Sequence, residues 1–233
     1  MILEGLNFAA TSLISARRHW REIDQSVRLW SRARRCASAW AEHEDHCKAF
    51  METEIATSAG GGIAVVLGSG LVRDVPIRVL SERFDEVWLV DLQHLASVQA
   101  WARVSRLRNL RFIQRDLMEG LDFLHDAKVE LTISANLLSQ LGMGAERSGG
   151  DPATVIRSHV EALTALPGRR LLITDMAYTI LDREGHVVES RDLMHGVALP
   201  DHRTSWLWTV APYGEIDPGH KAVHRVVAIS FTK

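Results

Sequence analysis

Cysteine is nearly absent: Cys36 and Cys47 are the only two in 233 residues. That excludes a disulfide framework and a cysteine-rich zinc site, and it fits a reduced, cytoplasmic setting. Strong charge of either sign is also missing. The formal net charge is −2, which supplies no global attraction for nucleic acid or for acidic membranes. No apolar run approaches the roughly 18 residues of a membrane-spanning helix. The opening "MILEGLNFAATSLISARRHW" carries its positive charge after the apolar part, the reverse of a secretory signal, so it reads as part of the mature fold. Internal repeats and low-complexity tracts are absent. What remains, with 46% hydrophobic residues, is enough to bury a full core, expected as one domain with an appendage.

Glycine and proline are missing from residues 8–57, which are rich in Ala, Arg, Leu and Glu. This is helical composition. Leu13, Ala16, Trp20, Ile23, Val27 and Trp30 recur at steps of three and four, forming an apolar stripe. Ala33, Ala37, Trp40, Cys47 and Met51 extend it less regularly, which predicts two helices or a bend. Trp20, Trp30 and Trp40 read as core anchors. Seven arginines lie from Arg17 to Arg35, and Glu42, Glu44, Asp45, Glu52 and Glu54 follow. No aromatic–basic interleaving accompanies the arginines, so a solvated helix face is expected, with no nucleic-acid partner. Cys36, His43, His46 and Cys47 do not make a metal site, because Cys36 and Cys47 would be about 16 Å apart along a helix at 1.5 Å per residue. No metal is expected.

"SAGGG" at 58–62 ends this segment and the texture changes. Short apolar, often β-branched runs follow at 63–68, 86–91, 110–116, 129–136 and 169–175. Helical stretches around 74–83, 94–107 and 152–166 separate them. Asp151-Pro152 opens the last of these with an N-cap and a proline at the first helical position. Strands and helices alternating at this spacing predict a parallel sheet covered on both faces. The chain closes with two more strand candidates, 205–212 and 221–231. The turn between them is too short for a crossover helix, so that pair is antiparallel. The expected division is a helical cap over 1–57 and an α/β domain over 58–233.

Polar residues gather where the parallel strands end, which is where such sheets bind ligands. Gly68-Ser69-Gly70 follows the first strand; two glycines around a small residue let a ligand approach the backbone. The second strand ends in Asp91, 21 residues beyond Gly70, where a carboxylate can accept bonds from a ribose diol. The third ends in Asp116, followed by Leu117, placed for an adenine amino group. The fourth runs into "SANLLSQLG" with Asn136, and the fifth ends in Asp175.

Together these residues resemble the class I S-adenosylmethionine (SAM)-dependent methyltransferases, over about residues 60–233. The resemblance implies a Rossmann-like, doubly wound, mostly parallel seven-stranded sheet with a C-terminal antiparallel hairpin and an N-terminal helical cap. It implies SAM as cofactor, held by Gly68, Ser69, Gly70, Asp91, Asp116, Leu117 and Asn136. Two positions depart from the family's pattern: Val66 stands where an acidic residue is usual, and Val72 where a third glycine is usual. A nicotinamide fingerprint fits worse, since it would need glycine where Arg73 stands and no Tyr-x-x-x-Lys follows. Methyl transfer mainly requires donor and acceptor held close and in line, with a base only where the acceptor must lose a proton. His94 and Tyr178 are candidates for that role. Gln140, Tyr178 and His202 are expected on the substrate side, while His159 reads as structural. The expected activity is O- or N-methylation of a small molecule by a possible homodimer. The alternatives are an RNA or protein methyltransferase using the Arg17–Arg35 face, and a non-catalytic SAM-binding partner subunit.

Overall fold

A computed structural model describes residues 2–15, 20–125, 127–201 and 204–231. Three members of the expected apolar and basic patterns, Ala16, Arg17 and Arg18, lie outside the described residues.

Alternating burial along the strands organises the molecule. β1 (Ile63–Leu67) lies centrally and sends Ala64 and Val66 to one face and Val65 and Leu67 to the other, all of them fully buried. β2 (Glu86–Asp91), β3 (Leu110–Gln114), β4 (Val129–Ala135) and β5 (Arg169–Leu181) complete a parallel set in the order β3-β2-β1-β4-β5. Strands buried on both faces need helices on both faces. One face packs on Ile23 and Val27 of α2 (Trp20–Arg35), on Cys47, Met51 and Ile55 of α3 (Ala37–Ala56), and on α4 (Ile77–Arg83) and α5 (Ala96–Val104). The other packs on Leu138 and Leu141 of α6 (Leu138–Arg147) and on Ile156 and Leu163 of α7 (Pro152–Ala165). Asp151 caps α7 as its sequence suggests, accepting the amides of Ala153 and Thr154 at 3.2 Å each.

β7 (Thr204–Ala211) and β8 (Lys221–Phe231) form the antiparallel pair, and β8 lies between β5 and β7. The expected path of seven strands is present, with one addition. β5 does not stop at Asp175 but continues to Leu181 and turns back through β6 (Val187–Asp192), an eighth strand paired antiparallel to its outer half. β6 was not expected because all six of its residues are exposed and carry no hydrophobic alternation.

Among the described residues three helices precede the sheet, where two helices or a bend were expected. α1 (Ile2–Ile14) crosses α5, where Thr11 Oγ1 accepts the amide of Ala96 (3.0 Å) and Asn7 Oδ1 that of Ser97 (3.3 Å). α5 has no side-chain cap of its own, so α1 supplies it from a distance. α3 is tied down at both ends. Trp40 Nε1 donates to Val210 O on β7 at 3.0 Å, and Glu54 accepts from Arg169 of β5 and Ser230 of β8. Trp40 is buried, Trp30 packs at the edge of the core, and Trp20 is 54% exposed with its ring stacked on Phe8.

Candidate functional site

Strand order reverses between β1 and β4, and that crevice holds the polar residues. Beyond β1 the chain folds back over the end of β2. Gly68 N donates to Val90 O at 2.9 Å and Gly70 N to Asp91 Oδ2 at 2.6 Å. Both glycines have positive φ, +72° and +47°. A Cβ on Gly68 would sit 3.0 Å from Leu137 Cβ and 3.1 Å from Ala135 O, so this glycine serves the packing of β1 against β4. A Cβ on Gly70 would meet nothing closer than Gly68 O at 3.8 Å, so the space before it is open. Val72 follows at φ +53°, an unfavourable conformation for a β-branched residue and a sign of backbone strain at this loop.

Opposite, β4 is followed by Asn136, also left-handed at φ +49°. Its amide Nδ2 donates to Asp74 Oδ2 at 2.6 Å, whereas its Oδ1 is buried with no partner among the described residues. Gln140 on α6 donates back to Asn136 O at 3.0 Å. Between the two strand ends opens a cleft of about 350 Å³, walled by Gly68–Leu71, by Asn136, Ser139 and Gln140, and by Trp40 and Trp208. Ser69 Oγ and Trp208 Nε1 on its lining residues are likewise buried and unpaired. Buried polar atoms are rarely left so without a reason, and three on one cleft point to a ligand with polar groups.

His43 and the pair Asp175–His224 close the cleft's inner end. His43 stacks on Trp208 at 4.0 Å, and its Nδ1 accepts from Trp206 Nε1 at 3.0 Å. Burial pushes its pKa down to about 4, so it is neutral with the proton on Nε2. His43, Cys47 and Asp74 place ligating atoms within 4.8 Å of one another. The network does not suit a cation, however. A metal on Nε2 would force the proton to Nδ1, which faces the indole N–H, and burial pushes the Cys47 thiol far up, against the thiolate a metal needs. Asp175, 5% exposed, accepts from Ser139 Oγ at 3.2 Å and from His224 Nδ1 at 2.7 Å.

Of the residues singled out from sequence, the cleft brings together Gly68, Ser69, Gly70, Asn136, Gln140 and Asp175. Asp91 lies behind the loop, anchoring Gly70; burial raises its pKa, with His94 and the surrounding amides acting the other way. Asp116 accepts the amide of Met118 at 2.9 Å and caps a single 3₁₀ turn, in which Leu117 is buried. His94 is buried with Nε2 on Ile113 O at 3.0 Å, and burial lowers its pKa. Tyr178 stands behind His224, ring centroids 5.5 Å apart and edge to face, and burial raises its pKa. His202 lies outside the described residues. The sequence reading missed His43, Asp74 and His224. A larger depression of about 700 Å³ lies beyond Leu71 and the Arg73–Glu44 ion pair, between Trp30 and Trp101. It touches the end of no strand.

No family model matches the chain, and no curated protein matches it either. Several solved structures similar to it are methyltransferases. A complex described as DhpI-SAM-HEP is 17% identical, with 86% of this chain and 95% of that one covered at a TM-score of 0.46. The N-methyltransferase NodS from Bradyrhizobium japonicum WM9, bound to S-adenosyl-L-homocysteine (SAH), is 12% identical, with 81% and 87% covered at 0.43. A SAM-dependent methyltransferase from Aquifex aeolicus is 11% identical, with 72% and 82% covered at 0.38.

Proposed function

We propose that the chain is a SAM-dependent methyltransferase that transfers the methyl group to oxygen or nitrogen of a small molecule. The observation that carries this reading is the crevice between β1 and β4. There Gly70 leaves room for close backbone approach, and Ser69 Oγ and Asn136 Oδ1 are buried without partners among the described residues. These are groups suited to the polar amino-acid end of the cofactor, the oxygen of Asn136 accepting and the hydroxyl of Ser69 donating or accepting. Asp91 and Asp116, at the ends of the neighbouring strands, are assigned the ribose and the adenine by their resemblance to the family's pattern. Bound there, SAM supplies a methyl group already activated by its sulfonium.

The protein's own share is then positioning and exclusion of water. Gly68–Gly70 and Asn136 fix the donor, while Trp40 and Trp208 wall the acceptor side with apolar surface. On α2, Arg32 and Arg35 are engaged with Glu215, and Arg28 with Asp24, so no observation favours a nucleic-acid reading of that face. Titration calorimetry with SAM, SAH and NAD tests the proposal. It expects binding of the first two and none of the third; NAD binding without SAM binding would overturn it.

A further inference from the structure

Resting on the methyltransferase reading, we propose that His224 is the catalytic residue that takes the acceptor's proton, held by Asp175 with its Nε2 presented to the cleft. A β-bulge brings the two together. Asp175 pairs with Val226 and Tyr178 with His224, the register shifting between Asp175 and Ala177. Residues three apart on a regular strand point to opposite faces; the extra residue puts Asp175 and Tyr178 on the same face, the one that carries His224. Asp175 therefore reaches His224 diagonally across the ladder, at 2.7 Å from Nδ1. A carboxylate can only accept, so Nδ1 carries the proton and Nε2 is left as an acceptor. Among the described residues Nε2 has no hydrogen-bond partner, and His224 lines the cleft together with Gly70 and Asn136.

The second imidazole on the cleft has the opposite polarity. His43 receives the Trp206 N–H at Nδ1 and keeps its own proton on Nε2. Its Nε2 lies against Cys47 Sγ at 3.6 Å and Asn136 Nδ2 at 3.5 Å, so it cannot take an acceptor's proton, which leaves His224 for that task. The walls, Trp40, Trp208, Leu29 and Met143, suit an acceptor with an apolar body and one O–H or N–H to ionise. As the acceptor's O–H bond breaks, its proton passes to Nε2 of His224. The electron pair left on oxygen forms the bond to the methyl carbon. The carbon–sulfur pair returns to sulfur, leaving a neutral thioether. Asp175 stabilises the imidazolium until it loses its proton to water.

The tautomer can be read without an acceptor, by nitrogen NMR of protein carrying ¹⁵N-histidine at pH 7.5. His224 is expected with Nδ1 protonated and Nε2 bare. In Asp175→Asn, Ser139 continues to donate to Oδ1, so the amide N–H₂ faces His224 and the proton moves to Nε2. Wild-type His224 protonated on Nε2, or an unchanged tautomer in Asp175→Asn, would overturn the proposal. Methyl transfer from tritiated SAM to phenol, benzylamine and benzoate supplies the second readout. Label is expected on phenol or benzylamine and reduced at least about 100-fold in His224→Gln, with SAH affinity unchanged within about threefold. Label on benzoate alone, whose oxygen has no proton to lose, label on none of the three, or full turnover by His224→Gln would each overturn it. A wild-type protein that binds no SAH but shows the expected tautomers would instead strike the methyltransferase reading.

Discussion

Gly68 and Gly70 stand two residues apart and do different things for one loop. Gly68→Ala must both hold a left-handed conformation and push against Leu137 and Ala135, so it should cost about 2 kcal/mol or more of stability. Gly70→Val carries the conformational cost of about 1–2 kcal/mol, but its side chain enters the open cleft. It should stay folded and lose SAH affinity by more than about tenfold, the two effects being separated by denaturation and calorimetry. Loss of affinity in Gly68→Ala alone would reverse these roles. Asp91→Ala should cost both stability and affinity, because the carboxylate anchors the Gly70 amide that shapes the site. His159 gives a pH prediction. Buried on α7 with Nε2 at 3.0 Å from Ser134 Oγ, it has a pKa pushed down to about 4, below its unfolded value of about 6.5. Its contribution is complete above pH 6.5 and is lost as pH falls toward 4. At pH 5 this one residue should cost about 2 kcal/mol relative to pH 8. Denaturant unfolding of His159→Gln at both pH values should show that much less pH dependence, and an unchanged difference would refute the assignment. The glycine turn and Asn136 were legible because such residues at the end of an apolar run have few other uses. His224 was not, because nothing in "KAVHRVVAISF" announces that a bulge on another strand will aim a carboxylate at it.

Among the secondary elements, α1 does unexpected work. Asn7 and Thr11 satisfy first-turn amides of α5, roughly 85 to 90 residues away in sequence. Asn7→Ala should lower stability by about 1 kcal/mol and speed hydrogen exchange at Ser97 while sparing Asn136. Equal protection at Ser97 in both proteins would show that α1 does not cap α5. Element boundaries followed local chemistry wherever chemistry was local, as at Asp151-Pro152, where cap and first-turn proline start α7. α6 escaped because its N-cap position is Leu137, which has no capping side chain, and because it contains two glycines, Gly142 and Gly144. β6 escaped because a solvated strand held only by its partner leaves no hydrophobic pattern.

At the scale of the whole molecule, α2 and α3 contribute to the same core as the sheet. Ile23, Val27, Met51 and Ile55 are buried against it, at roughly 1.5–3 kcal/mol each. Together they contribute on the order of 10 kcal/mol, comparable to a domain's whole stability. A chain shortened to residues 58–233 should therefore show no cooperative melting transition, and a sharp one would contradict the shared core. The parallel sheet, its antiparallel ending and the polar residues gathered at the strand ends were legible in sequence, because alternating apolar runs and helices leave few topologies open. The inner end of the cleft was not, since it is assembled from α3, β5, β7 and β8, four elements distant in sequence. The central claim is that this crevice, and not the larger depression beyond Leu71, holds the methyl donor. Ultraviolet crosslinking with tritiated SAM, followed by peptide mapping, tests it most directly. Label is expected on peptides containing Gly68–Leu71 or Asn136–Gln140 and should disappear with excess SAH. Label confined to peptides of the larger depression, around Ile77–Val79 or Trp101, or no SAH-sensitive label at all, would contradict it.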